Sequence, residues 1–194
     1  MKIYLLGAYG GDAALMGLGL SYGLTTPHDY WDDVPEETKQ RLYKIAEKLC
    51  VRDGGENKFL RQLMYYWSVE GPRFWWCEAD TYKVATVAQS ASTMHTIMHR
   101  SLSQNDFEYG ISPSHLEYLN GLIAEYKDKK DEKLFLRLKN DLPEGFLQRR
   151  IWSLSLANMK NIYAQRKSHR LPQWHQVCQV FVEETPVWLR GIYG

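Results

Sequence analysis

The sequence predicts one α+β domain spanning residues 1–194, and three observations lead to that class. An apolar run, Lys2 to Leu6, ends in Gly7, Gly10 and Gly11, as a short buried strand with its turn would. Apolar residues recur at helical spacing in several later stretches. An aromatic, β-prone stretch, Arg73 to Tyr82, comes after the breaker pair Gly71–Pro72. At 194 residues the chain can bury an independent core, and 44% hydrophobic content with 7 Trp and 13 Tyr excludes a disordered protein.

In chain order, the opening strand leads into a helix from Asp12 to about Ser21. A loop rich in Pro, His and Asp, Thr26 to Asp33, precedes a helix over Glu36 to Val51, where Leu42, Ile45, Ala46 and Leu49 share one face. Asp32 or Asp33 is the expected cap. After Gly54 and Gly55, the spacing of Phe59, Leu60, Leu63 and Met64 predicts a helix over Asn57 to Trp67. The strand Arg73 to Tyr82 is next, then a helix to about Arg100 with Val87, Ala91, Met94 and Met98 as its buried stripe. Further helices are predicted over Ser114 to Tyr126, Asp131 to Lys139, Glu144 to about Gln165 and Pro172 to Glu183.

Charge narrows the partners. Lys+Arg 24 against Asp+Glu 23 leaves +1, too weak a field to draw the molecule onto duplex nucleic acid or an anionic membrane, so any anion site is local. Cys50, Cys77 and Cys178 are far apart and odd in number, which fits neither a disulfide framework nor a CxxC motif and suggests a reducing compartment. Glycines and Asp12 interrupt Met1 to Gly23 before it resembles a signal-peptide core or a membrane span. A cytoplasmic location is expected.

Four groupings could carry chemistry. The glycines of LLGAYGG and MGLGLSYG lack GxGxxG spacing, and tight turns and close packing account for them better than a dinucleotide. His95 and His99 have the i, i+4 spacing of metal ligands, but no acidic third ligand accompanies them and no metal is expected. Arg166, Lys167, His169 and Arg170 precede Pro172 at a predicted helix start, where free N–H groups and guanidiniums suit a phosphate. A basic end to the preceding helix fits that spacing equally well. Asp80 to His95 carries hydroxyls at Thr81, Tyr82, Thr86, Ser90, Ser92 and Thr93 around Lys83 and Gln89, more than one helix cap needs, and suits a phosphate, sugar or base edge.

Taken together, these segments resemble the flavin-dependent thymidylate synthase family over essentially the whole chain, in the same order. GDAALMGLGLSYG is similar to the family's first helix with its Ala-Arg-Val-Ser-Tyr ending, where Ser21 and Tyr22 match and Gly19 stands at the arginine. GENKFLRQLMYYWSVEGPRFWW resembles the family's Gly-His segment, helix and strand, Gly55 matching and Glu56 standing at the histidine. In the place of the Arg-His-Arg-x-x-Ser signature stand Thr81, Tyr82 and Lys83, then Thr86, ahead of an Asn-Glu-x-Ser-x-Arg-like stretch. Leu142 and Pro143 match a Leu-Pro element, and Arg166 and Gln173 match the C-terminal run; its other arginines face Ala157 or Lys160, and Val177.

The resemblance implies a thymidylate synthase-complementing-protein-like fold, a small sheet with several packed helices, assembled as a homotetramer with sites between subunits. It implies binding of a pyrimidine deoxynucleotide such as dUMP through Lys83, Gln89, Ser90, Ser92, Arg166 and Arg170. It implies FAD held near Thr81, Tyr82, His169 and Gln173, with reduced nicotinamide and methylene-tetrahydrofolate as co-substrates for one-carbon transfer to the base. With most signature arginines replaced, the alternative is a non-enzymatic nucleotide-binding protein that kept the fold and lost the flavin.

Overall fold

A computed structural model describes residues 1–194. Four antiparallel strands, β1 (Lys2–Tyr9), β2 (Met64–Pro72), β3 (Thr86–Ser90) and β4 (Leu147–Ser155), form one sheet in the order β1-β2-β4-β3. Eight helices accompany it: α1 (Gly11–Leu20), α2 (Glu36–Cys50), α3 (Arg73–Ala79), α4 (Thr93–Thr96), α5 (Pro113–Lys129), α6 (Glu132–Asp141), α7 (Leu156–Arg166) and α8 (Pro172–Glu184). The α+β expectation holds. No helix is long and apolar enough to cross a membrane.

The packing divides into two compact units, and each strand contributes residues to both. The first comprises Met1–Lys2, Val69–Thr81 and Ala88–Ile151. Its core gathers Ile97, Phe107, Leu119, Ile123, Leu138 and Phe146 around the α5–α6 hairpin. That hairpin is punctuated as its sequence dictates: Pro113 opens α5, Lys130 takes φ 54 at its end, and the Asp131 carboxylate accepts from the Lys133 N–H at 2.9 Å to start α6.

The second unit comprises Ile3–Ser68, Tyr82–Val87 and Trp152–Gly194. Tyr65 and Trp67 of β2, Leu42 of α2, Leu154 of β4 and Trp174 and Phe181 of α8 are buried there. Helix α1 is preceded by Gly10 at its N-cap, whose φ of 84 suits glycine and where a Cβ would run into the Gln62 carbonyl oxygen.

Several sequence expectations need correction. Asn57 to Trp67 is not a helix: Lys58–Arg61 is a single 3-10 turn and β2 begins at Met64. Phe59, Leu60 and Leu63 mimic helical spacing, yet burial alternates along Tyr65, Trp67 and Val69, the period of a strand. Arg73 to Tyr82 is not a strand but contains α3, which buries Trp75, Trp76 and Ala79 on one face, so context overrides aromatic β propensity. The helix expected up to Arg100 is β3 followed by the short α4, and Val87 and Met94 are 66% and 58% exposed rather than a buried stripe.

Glu144 to Gln165 is β4 followed by α7. The boundary is a capping box in which the Ser155 hydroxyl accepts from the Asn158 N–H while Asn158 Oδ1 accepts from the Ser155 N–H. Neither Asp32 nor Asp33 caps α2, whose N-cap position is Pro35 with no side-chain cap. His95 lies in α4 and His99 beyond its end, so the pair does not share one helix.

Candidate functional site

In the first unit the register of β3 against β4 assembles one cleft. The Ala91 N–H donates to the Arg149 carbonyl at 2.8 Å, which brings Gln89 and Ser90 alongside Arg149 and Arg150 in a cleft of about 410 Å³. Both glutamine and serine side chains offer donors and acceptors, and an adjacent guanidinium adds the fork that grips phosphate. The two arginines differ in availability. Arg150 donates through Nη1 to both Asp80 carboxylate oxygens at 2.7 and 3.0 Å, through Nη2 and Nε to Gln148 Oε1 at 3.0 and 3.2 Å, and lies 4.3 Å from the Trp76 ring. Arg149 has one carboxylate, Glu70 at 2.7 Å, and its side chain is 67% exposed.

A second cavity of about 210 Å³ has Arg149, Gln148, Thr93, Thr96, Arg100 and Asn105 on its wall. Arg100 is paired with Asp106, Nη1 to Oδ2 at 2.9 Å. The carboxyl groups of Asp106 and Glu70 are held below the usual range, chiefly by hydrogen bonds from Arg100 and Arg149 respectively. Ser92 immediately precedes α4 and lies on neither cavity wall. Thr81 donates its hydroxyl to the Glu78 carbonyl at 2.7 Å, closing the end of α3.

In the second unit Tyr82, Arg166, His169 and Gln173 gather around Trp174. Arg166 Nε donates to Tyr82 Oη at 2.8 Å, and that hydroxyl donates to Gln165 Oε1 at 3.0 Å. The guanidinium lies 4.9 Å from the Trp174 ring and 5.5 Å from that of Tyr82. His169 Nδ1 accepts from the Leu171 N–H at 3.2 Å and its ring stands edge-on to Trp174. Gln173 is buried, and Pro172 opens α8 as the sequence predicts. Lys83 and Arg170 are exposed, and neither makes an ion pair.

Another cleft in this unit, about 420 Å³, has Asp53, Asn57, Arg61, Ala157, Lys160 and Asn161 on its wall. Lys160 reaches the carbonyls of Cys50, Val51 and Arg52 at 3.3 Å each and Asp53 at 3.2 Å. Arg61 is exposed with no carboxylate on it, which leaves it as the cation open to a ligand there. At Gly19 an added Cβ would lie 2.5 Å from Thr25 Oγ1 and 3.2 Å from a Leu42 methyl, so a larger side chain would have to displace those side chains.

Arg149 and Arg61 are the site residues that sequence reasoning missed. The cue for Arg149 was the basic pair in FLQRRIW, which becomes informative only when β4 is recognised as the neighbour of Gln89 and Ser90.

This sheet and its helices define the flavin-dependent thymidylate synthase fold. Two structures of that enzyme, ThyX from Helicobacter pylori, carry the likeness. One, complexed with FAD and dUMP, matches at TM-score 0.70 and 14% identity over 100% of this chain and 98% of the other. The other, with FAD and dUMP, matches at TM-score 0.71 and 14% identity over 100% and 97%. No protein-family model matches the sequence, and no curated protein matches it. The likeness is one of fold.

Proposed function

We propose that this protein binds a pyrimidine deoxynucleotide such as dUMP and, with FAD, transfers a one-carbon unit to its base, drawing on methylene-tetrahydrofolate and reduced nicotinamide. The observation that carries this reading is the juxtaposition of Gln89 and Ser90 with Arg149 on one cleft, in a chain that has the thymidylate synthase fold along its whole length. The chemistry asked of these side chains is positioning and polarisation. Arg149 would hold phosphate, and Gln89 and Ser90 the sugar or phosphate.

The donor set in the second unit suits a flavin dinucleotide in part. Arg61, Asn57 and Asn161 offer one cation and two amides, which would hold its pyrophosphate and sugar hydroxyls, while Tyr82 and His169 pack on the buried Trp174. When bound, the flavin supplies redox chemistry that no side chain here has. Thr81, at the place of a signature arginine, brings no charge.

A homotetramer is part of the proposal. Tyr4, Leu6 and Tyr66 are 60%, 55% and 40% exposed on β1 and β2, an apolar surface of the kind that subunit contacts cover. The test is direct: purify the protein, read its flavin absorbance, titrate it calorimetrically with dUMP, and assay dTMP formation with the folate and reduced nicotinamide supplied. A colourless protein that binds no pyrimidine nucleotide would end the proposal.

The second reading, a nucleotide-binding protein without flavin or turnover, is favoured by one observation. The Thr81 hydroxyl is engaged on α3 rather than facing a ligand. dUMP binding without flavin absorbance or dTMP formation would select it.

A further inference from the structure

Of four cations in the first unit, three have carboxylate partners: Arg73 with Glu144 at 3.0 Å, Arg149 with Glu70 at 2.7 Å, a carboxylate that Lys2 shares at 3.1 Å, and Arg100 with Asp106. The fourth, Lys139 of α6, makes no ion pair. Its ammonium donates to the Thr93 hydroxyl, and the side chain is only partly exposed. Burial, then repulsion from Arg73, pulls the Lys139 pKa below its ordinary value. A half-buried cation with one neutral acceptor and no counter-charge is costly for an isolated fold and suited to an anion that arrives from outside.

The geometry places that anion. Thr93 lies on the wall of the cavity of about 210 Å³ and also of a neighbouring one of about 280 Å³, and Lys139, itself on neither wall, donates to the Thr93 hydroxyl from behind. An ammonium has three N–H donors and Thr93 takes one, leaving two for a ligand oxygen or water. Arg100 is neutralised by Asp106, whereas Glu70 is shared by Arg149 and Lys2, so the wall keeps positive charge, to which the ammonium of Lys139 adds from behind Thr93.

We propose that Lys139, with the hydroxyl of Thr93, forms a phosphate subsite, the cation coming from α6 because the segment Thr86 to Thr96 carries none; the Thr96 hydroxyl is spent on the Ser92 carbonyl at 2.7 Å. The naming of a nucleotide as the phosphate's carrier rests on the function proposed above; the anion site itself does not.

The experiment titrates wild type, Lys139→Met, Lys139→Arg and Thr93→Val calorimetrically with inorganic phosphate, dUMP and deoxyuridine, and measures each melting temperature. Wild type is expected to bind dUMP more tightly than deoxyuridine. Lys139→Met should weaken dUMP and phosphate about tenfold or more without changing deoxyuridine, since one charge-assisted contact is lost. Lys139→Arg should keep most of the affinity, and Thr93→Val should shift binding in the same direction as Lys139→Met. The melting temperature of Lys139→Met should hold or rise, because an uncompensated charge has been removed. Phosphate binding that depends on Lys139, without preference for dUMP, supports the subsite and removes the nucleotide reading. Binding of dUMP that is indifferent to Lys139→Met and Thr93→Val overturns the subsite and leaves that reading standing. Absence of both phosphate and dUMP binding in wild type overturns the subsite as well, as does a Lys139→Met variant that only loses thermal stability.

Discussion

Arg166 is held by Tyr82: its Nε donates to the phenol oxygen at 2.8 Å while its guanidinium lies 4.9 Å from the Trp174 ring. A cation engaged in this way supports the fold as well as any ligand. Arg166→Ala should therefore cost about 1.5–3 kcal/mol of stability through the lost charged hydrogen bond. Arg170, exposed and without an ion pair, gives the cleaner test. Arg170→Ala should change stability by no more than about 0.5 kcal/mol. Chemical denaturation and calorimetry of the two variants check this, and equal stability losses would show that Arg170 is as much part of the fold as Arg166.

Arg149 is the strongest candidate for gripping a phosphate. Its pair with Glu70 is largely exposed on the arginine side, so Arg149→Gln should reduce stability by less than about 1 kcal/mol. Loss of a charge-assisted contact should raise the dissociation constant for dUMP about tenfold to a hundredfold. Deoxyuridine, which has no phosphate, should bind the variant as it binds wild type. Equal weakening for both ligands would move the phosphate elsewhere.

Much of the helical framework was legible in the sequence. The amphipathic stripe of α2, the helix start at Asp131 and Pro172 opening α8 are local signals, and the structure obeys them. The central strands were not legible as strands. Phe59, Leu60 and Leu63 imitate a helical stripe just before β2, and β3 is an exposed edge strand with no inward hydrophobic row to announce it. The site suffered from the same errors. Gln89 and Ser90 were readable as polar groups at a junction, but Arg149 joins them only across a strand pairing that local periodicity cannot encode. Ser155 and Asn158, spaced as a capping box, were the signal that would have divided β4 from α7.

Glu70 and Asp106 make a pH prediction. Both carboxyl groups titrate below their ordinary values of 4.5 and 3.8 in the folded protein, so the stabilisation is complete above those values and disappears as pH falls through the folded values. Denaturation midpoints should fall between about pH 5 and pH 3, and less steeply for Glu70→Gln and Asp106→Asn than for wild type. Parallel curves for all three proteins would show that these ion pairs contribute nothing to acid sensitivity.

The last prediction concerns Lys160, which with Ala157 is one of two alternative positions where the resemblance sets a family arginine. Its ammonium reaches three carbonyls at the end of α2, those of Cys50, Val51 and Arg52, and the Asp53 carboxylate, while its side chain is 20% exposed. A cation there satisfies carbonyls that the helix leaves unpaired and complements the negative end of the helix dipole. Because those contacts use its donors, Lys160 has little left for the cofactor phosphate proposed for the cleft it lines, where Arg61 remains open. Lys160→Met should therefore lower stability by about 1–2 kcal/mol, the range for a partly buried cation at a helix C-terminus, and leave flavin retention on gel filtration nearly unchanged. Arg61→Ala should do the reverse, keeping the melting temperature and losing flavin. Loss of flavin from Lys160→Met at an unchanged melting temperature would make Lys160 the cofactor's cation and Arg61 a surface residue.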